Sequence, residues 1–136
     1  MRSLDSERAK FAIRCTDGLD DKQAKYLAAV NRVGPMLRQN GLVQTGLFCI
    51  GKKGEDIRVF EHIANWLRDR ENPITSPVVL ELNGKPLIEF WQGTLDLDAL
   101  DVALLEEESR RICNWLKRVC EARSPADAGT SDQGAG

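Results

Sequence analysis

Apolar residues recur every three or four positions in the first part of the chain, which is the spacing of an amphipathic helix. A first helix is predicted over residues 4–14, and a second begins after Asp20 or Asp21, either of which can cap it. The second carries an apolar stripe made of Tyr26, Leu27, Val30 and Val33. Gly34-Pro35 is predicted to interrupt its hydrogen bonds, and Asn40-Gly41 to stop the following turns in a left-handed conformation.

Three further helical segments follow. Residues 42–50 are apolar nearly all round, which predicts a buried central helix closed by the loop 51–54. Residues 57–67 have the cleanest amphipathic pattern and end before Asn72-Pro73. A last helix is predicted over about 97–123, with an inner face of Leu97, Leu100, Leu104, Leu105, Ile112, Leu116 and Val119.

Residues 75–91 admit two predictions. A small β-hairpin within 77–91 would pair two apolar runs across a tight Asn83-Gly84 turn. Alternatively, a short helix begins at Pro86, a residue favoured in a first helical turn, and places Leu87, Ile88, Phe90 and Trp91 in the core. The pattern slightly favours the helix.

Length and composition limit the architecture. A chain of 136 residues with 42% apolar content suits one compact domain. The expected fold class is therefore all-α, a single-domain bundle of five to six helices over residues 1–123. Residues 124–136 are small and polar, and we expect a disordered tail. Because the chain lacks a run of eighteen apolar residues and begins with charged positions, the expected location is the cytoplasm.

Charge is distributed unevenly along the chain. The net charge of -2 argues against a domain that binds nucleic acid tightly by itself. Residues 21–70, however, contain nine bases and five acids, whereas an acidic block precedes the basic end of the last helix. That block consists of Asp96, Asp98, Asp101, Glu106, Glu107 and Glu108. The pattern indicates a surface on which the two signs of charge are segregated.

Residues with catalytic or metal-binding chemistry are few. His62 is the one histidine, and a surface or interface position is the favoured interpretation, since a triad would need partners that the sequence does not place. The cysteines lack paired metal-binding spacing, so reduced thiols are expected. Asp96, Asp98 and Asp101 could attract a cation, but acids at a helix start are better explained by capping. We therefore predict no metal and no cofactor.

The segment Gly51-Lys52-Lys53-Gly54 is similar to the Gly-x-x-Gly loop of KH domains, which clamps a nucleotide backbone. A KH fold also needs a strand shortly before the first flanking helix, yet residues 23–39 have helical periodicity. KH homology is thus disfavoured, and an ordinary helix connector is the alternative. In either case Lys52 and Lys53 could contact phosphate.

Two parts of the chain, residues 19–67 and 98–122, resemble one known family. The resemblance lies in Asp21-Lys22-Gln23, in Asn40-Gly41-Leu42 with Gln44 and Phe48, in Trp66-Leu67, and in Glu108 with residues 114–118, Asn-Trp-Leu-Lys-Arg. These segments resemble the small all-helical subunit of Cmr complexes, the type III-B CRISPR effectors. The resemblance implies a non-catalytic subunit that stacks head to tail beside paired guide and target RNA.

The resemblance also implies partners and contact residues. The expected partners are other Cmr subunits, copies of the same chain, guide RNA and target RNA, with no membrane and no small-molecule substrate. The candidate RNA-binding residues are Lys22, Lys25, Arg32, Arg38, Lys52, Lys53, Arg58, Lys117 and Arg118. Leu42, Phe48, Trp66 and Trp115 are assigned to the core or to a subunit interface.

Two other functions are compatible with the sequence. The first alternative is a helical adaptor that bridges protein partners without contacting RNA. The second is a small hydrolase using His62 and a cysteine, which is disfavoured.

Overall fold

A computed structural model describes residues 3–123, so the predicted disordered tail at 124–136 lies outside the described residues. Six α-helices are present in the described part: α1 (Leu4–Thr16), α2 (Gln23–Lys52), α3 (Gly54–Leu67), α4 (Pro77–Leu80), α5 (Leu87–Thr94) and α6 (Ala99–Arg123). A 3₁₀ turn at Asp20–Lys22 precedes α2. Within residues 3–123 the chain forms no strand, so the predicted all-α bundle is confirmed.

The core lies where the four long helices meet. Helix α2 packs against both α3 and α6, and α1 packs against α6. Each contributes a stripe spaced at three and four residues, as the sequence pattern predicts. The largest fully buried side chains include Tyr26, Phe60, Ile63, Trp66, Ile112 and Leu116.

Helix α2 departs from the predicted pattern at its proline. Pro35 has no N–H and so leaves out one helical hydrogen bond, as predicted, but a kink at Gly34-Pro35 is wrong because the backbone stays helical through both residues. The residue before a proline usually avoids the helical region since its Cβ clashes with the ring, and Gly34 has no Cβ. The break instead lies at Gly41, with φ 82° and ψ 176°, where the sequence predicts a stop.

The segment after α3 contains two short helices in place of the possible hairpin. Helix α5 follows Pro86 directly, as the favoured prediction requires, and Phe90 is fully buried. Arg68 stabilises the link between α4 and α5, because its Nη1 donates to the carbonyls of Leu82 and Lys85, both at 2.8 Å. The guanidinium also lies 5.3 Å from the ring centroid of Phe90. Ile88, predicted to be buried, is 41% exposed.

Two predicted buried faces are partly exposed. Residues 42–50 do not form a helix buried all round, because Leu47 and Phe48 are exposed by 53% and 41%. On α6, Leu100 and Leu104 are exposed by 69% and 47%. The buried stripe of α6 begins only at Leu105, so the first six residues of the helix extend beyond the core. Helical spacing identifies a face but does not show where its neighbours end.

Candidate nucleic-acid interface

Helix α2 carries only positive charge. Its 30 residues include four bases, Lys25, Arg32, Arg38 and Lys52, and no acid. All four side chains are exposed, whereas Tyr26 on the opposite side is completely buried. Lys25 and Arg32, seven residues apart, lie along one edge of the exposed face. Arg38 lies about 120° around the axis, at the other edge.

The first edge borders a groove between α2 and the start of α3. This groove, of about 300 Å³, is lined by Lys25, Ala28, Arg32, Lys52, Lys53, Gly54, Glu55 and Asp56. The chain reverses there through positive φ angles of 66° at Lys53 and 65° at Gly54. The reversal brings Lys52 and Lys53 beside bases that lie some twenty or more residues earlier in the sequence.

The predicted loop at 51–54 is wrong, because Gly51 and Lys52 form the end of α2 and Gly54 begins α3, with Lys53 alone between the helices. The chain from residue 3 up to this junction contains no strand. A KH domain needs such a strand, so the local similarity does not extend to the fold. Lys52 and Lys53 nevertheless are exposed at this junction, as phosphate contact would require.

Two of the predicted RNA-binding cations are already in ion pairs. Arg32 donates through Nε to Oδ2 of the buried Asp56 at 3.3 Å and pairs with the other carboxylate oxygen through Nη2. This hydrogen bonding raises the pKa of Arg32. Arg58 Nε lies 3.2 Å from Glu55 Oε1. The positive excess of this groove therefore comes mainly from Lys25, Lys52 and Lys53.

The second edge of the α2 face borders a smaller groove, of about 110 Å³, between α2 and α6. Arg38 and Lys117, both predicted from the sequence, lie in it together with Arg110, which is not among the predicted residues. The other lining residues are Val30, Asn31, Gly34, Pro35, Cys113 and Asn114. The lining thus has three cations and no acid. Sequence reasoning missed Arg110 because, unlike Lys117 and Arg118, it lies outside the run 114–118 that resembles the family.

The remaining three candidates, Lys22, Arg58 and Arg118, do not line these grooves. Lys22 belongs to the exposed 3₁₀ turn ahead of α2. Arg118 lines a separate groove between α1 and α6 with Asp5, Arg8, Arg111, Asn114 and Trp115. The nine predicted cations therefore do not form one cluster. Six of them line the two grooves that border α2.

The four apolar candidates occupy different environments. Leu42 and Trp66 are buried, with 2% and 1% exposure. Phe48 is exposed, and Lys52 Nζ lies 5.6 Å from its ring centroid. Trp115 is partly buried and lines an apolar groove with Ile13, Arg118, Val119, Ala122 and Arg123.

The acidic block of α6 is partly used inside the protein. Glu108 lies on the buried stripe and accepts from Arg8 Nε and Nη2 and from Trp66 Nε1, each at 2.7 Å. This hydrogen bonding is the main cause of the raised pKa of Arg8. The sequence signal for this network is Glu108 itself, a charge between Leu105 and Ile112 on an apolar stripe. The sequence spacing does not identify its partner on α1, Arg8.

His62 is held by a tyrosine rather than by a catalytic pair. Its Nδ1 lies 2.7 Å from the hydroxyl of the buried Tyr26. Burial, with a smaller contribution from Arg58, lowers the pKa of His62 to about 4, so the ring is neutral at pH 7. Burial likewise raises the pKa of Cys15, Cys49 and Cys113 to about 12, so these thiols stay protonated.

Acidic, histidine and cysteine side chains do not form a metal cluster in residues 3–123. This part of the chain contains no group of three or more His, Cys, Asp or Glu side chains that could hold a metal ion. Asp98 instead caps α6, accepting from the Asp101 backbone N–H at 2.8 Å. Among the helices described, none has the length and apolarity needed to cross a membrane.

Comparisons with known proteins cover nearly the whole described chain. The family model for CRISPR-associated protein (Cas_Cmr5) matches residues 4–123, which is the span from the start of α1 to the end of α6. The CRISPR system Cmr subunit Cmr5 of Thermotoga maritima is 30% identical over 122 residues, covering 89% of this chain and 84% of that protein. The resemblance inferred from residues 19–67 and 98–122 is thereby confirmed. The chain belongs to the Cas_Cmr5 family of CRISPR-associated proteins.

Proposed function

We propose that this protein is a non-catalytic structural subunit of a type III-B CRISPR Cmr complex, and that it lays the exposed face of α2 along the backbone of guide or target RNA. The observation that carries the proposal is the charge of α2: four bases and no acid in 30 residues, with a basic groove at each edge. The comparisons with the Cas_Cmr5 family support the assignment to a Cmr complex.

Electrostatics on this face suit a polynucleotide backbone. Exposed lysines and arginines contact phosphates without selecting bases, which is how paired RNA is commonly bound. The net charge of -2 does not oppose this, since only one face needs to be basic and α2 contains no acid. Weak contacts from one subunit would add up along an array through effective concentration.

Head-to-tail stacking is supported by two unlike surfaces at opposite ends of α6. One is the apolar groove lined by Ile13, Trp115, Val119 and Ala122 and flanked by Arg118 and Arg123. The other is the exposed pair Leu100 and Leu104, next to the acids Asp96, Asp98 and Asp101. The two surfaces have complementary charge and are both apolar at their centres. We propose that the second surface of one copy packs into the groove of the next.

The same chemistry supports a structural role over catalysis. A histidine bonded to a phenol and thiols whose pKa is raised by burial do not provide a nucleophile with its base. The hydrolase interpretation would need a thiolate near His62. A His62 variant with full assembly and full RNA binding would agree with the structural role.

A helical adaptor that never contacts RNA is the second candidate. The observation that favours it is the set of exposed apolar side chains, Leu47, Phe48, Ile88, Leu95, Leu100 and Leu104, which could cover a protein neighbour. Crosslinking of the assembled particle to labelled target RNA separates the two functions. Crosslinks on α2 support RNA contact, whereas their absence there, with crosslinks on neighbouring subunits, supports the adaptor.

Charge reversal tests the RNA-binding face directly. In the reconstituted complex, Lys25→Glu with Lys52→Glu and Lys53→Glu should weaken target-RNA binding and reduce the slope of affinity against salt by roughly 0.7 to 0.9 for each phosphate that is no longer neutralised. Lys10→Glu, an exposed base on α1, is the matched control. Unchanged affinity and slope in the triple variant would show that the groove between α2 and α3 does not contact RNA.

A further inference from the structure

We propose that the groove between α2 and α6 is a specific pocket for one phosphodiester group of RNA and for the ribose 2′-hydroxyl next to it. This inference rests on the proposed function and extends it, because it assigns Asn31, Arg110 and Asn114 a role and predicts discrimination of RNA from DNA. It differs from diffuse attraction by a basic surface, which would treat both polymers alike.

Three cations line the groove around an uncharged base. Arg38, Arg110 and Lys117 line it from two helices, with Cys113 at the base. A Cβ placed on Gly34 would lie 3.8 Å from both Arg38 Nη1 and Cys113 Sγ, so the guanidinium is close to the base of the groove. Burial raises the pKa of Cys113 to about 12, although Arg38 and Lys117 act in the opposite direction. The thiol therefore adds no negative charge that would repel a phosphate.

The size of the groove limits what it can hold. Its volume of about 110 Å³ is well below the roughly 300 to 1,000 Å³ of pockets that enclose drug-sized ligands. A whole nucleotide would not be enclosed, but a single phosphate group can enter between the three cations. Guanidinium groups suit it because their N–H donors match two phosphate oxygens at once.

The two asparagines provide hydrogen-bond acceptors, which the cations do not. Arginine and lysine side chains only donate hydrogen bonds, whereas a carboxamide both donates and accepts. A ribose 2′-hydroxyl likewise donates and accepts, and it is the group that distinguishes RNA from DNA at a binding site. Asn31 on α2 and Asn114 on α6 line the groove from opposite sides and are exposed, so both amides are available to this hydroxyl.

The neighbouring groove at α3 has a different composition. There Glu55 and Asp56 line the wall beside Lys25, Lys52 and Lys53, and Arg32 is paired with Asp56. A phosphate entering that groove would meet carboxylates as well as cations.

At the α2–α6 groove, Glu107 competes with a phosphate for Arg110. The contact between these two side chains, at 2.9 Å, lies on the surface. Such exposed ion pairs contribute little to stability, so a phosphate can replace the Glu107 carboxylate.

The test compares two target strands of one sequence, all-ribose and 2′-deoxy, bound to the reconstituted complex. In complexes with Asn31→Ala and Asn114→Ala, affinity for the ribose strand should fall roughly two- to tenfold for each hydrogen bond removed. Affinity for the deoxy strand should stay near that of the wild type. Because each ratio is taken against the wild-type complex on the same strand, the intrinsic stability of the guide duplex cancels. Gln39→Ala, which removes an exposed amide from α2, is the control.

A second variant fills the groove without changing its charge. Gly34→Leu and Gly34→Ala both add the Cβ that crowds Pro35, but only the leucine side chain extends between Arg38 and Cys113, so Gly34→Leu should weaken ribose-strand binding more than Gly34→Ala. Thermal unfolding of both variants checks that α2 remains folded.

The possible outcomes separate this inference from the proposed function. If the asparagine variants lower binding of both strands equally or of neither, while reversal of Lys25, Lys52 and Lys53 still reduces affinity and salt slope, the pocket is overturned and RNA contact stands. If no basic or asparagine variant changes binding, both proposals fall. Selective weakening on the ribose strand supports both.

Discussion

Glu106 of α6 accepts a hydrogen bond from the backbone N–H of Leu42 at 3.0 Å, directly after the break in α2 at Gly41. A helix that restarts after a break leaves its first N–H groups without intrahelical acceptors. Here the acceptor comes from another helix, 64 residues later in the chain. The carboxylate therefore caps the second half of α2 and ties it to α6.

Removal of this carboxylate should destabilise the fold. Glu106→Ala is expected to lower the free energy of unfolding by about 1 kcal/mol, the usual cost of removing a helix cap. Denaturant titration measures it. Glu107→Ala on the adjacent position is the control, because its exposed pairs with Arg110 and Arg111 should contribute little. Equal destabilisation in the two variants would contradict the cap.

Gly41 should be intolerant of even a methyl group. Its φ of 82° is strained for other residues, and an added Cβ would lie 2.6 Å from Glu106 Oε2. Gly41→Ala is therefore expected to cost more than about 1 kcal/mol in the free energy of unfolding. Gly51→Ala is a control near the end of the same helix, where the added Cβ meets no atom within 4 Å. It should be neutral or slightly stabilising, and a reversed order would refute the argument.

Gly41 and Glu106 show how far the sequence alone predicts this fold. The Asn40-Gly41 stop is predictable because glycine is favoured where φ must be positive. Glu106 stands out in the sequence only as part of an acidic block, since its partner lies in another helix. The exposure of Leu100 and Leu104 is unpredictable for the same reason: periodicity defines a stripe, while the position of neighbouring helices decides how much of it is covered.

For the candidate interface too, the sequence predicts local features but not contacts between helices. Local composition identifies the bases of α2 and of the 51–54 connector. It does not reveal that Asp56 is buried against Arg32, or that Arg110 joins Arg38 and Lys117 in one groove. Both facts depend on contacts between helices, which spacing along one helix does not encode.

The buried network of Glu108 should be strongly sensitive to removal of one charge. Glu108→Gln leaves the guanidinium of Arg8, 7% exposed, without its buried charged partner. The expected decrease is about 3 to 5 kcal/mol in the free energy of unfolding, because a poorly compensated charge then remains buried. Denaturant unfolding checks this, with Glu107→Gln as the exposed control. A small decrease, similar to that of the control, would mean that Asp5, to which Arg8 Nη1 donates at 2.7 Å, or solvent compensates the guanidinium.

The Tyr26–His62 contact predicts a pH dependence of stability. The pKa of His62 is lowered to about 4 in the folded protein, whereas an unfolded histidine has a pKa of about 6.5. Protonation therefore favours the unfolded chain: the stabilisation is present above about pH 6.5 and is lost as the pH falls towards 4. The difference between wild type and His62→Gln, measured by denaturation at each pH, should shrink over this window. Since carboxylates titrate in both proteins, they cancel, and parallel profiles would contradict the prediction.

Leu104 and its neighbour Leu105 distinguish assembly from folding. Leu104 is 47% exposed and belongs to the proposed stacking surface, while Leu105 is 4% exposed in the core. Leu104→Ser should leave the free energy of unfolding nearly unchanged but reduce the number of copies in the reconstituted complex, as measured by native mass spectrometry. Leu105→Ser should instead lower stability by roughly 2 to 5 kcal/mol, as for truncation of other core leucines. If Leu104→Ser, Leu100→Ser and Arg118→Glu all assembled in full number, stacking through the two ends of α6 would be wrong.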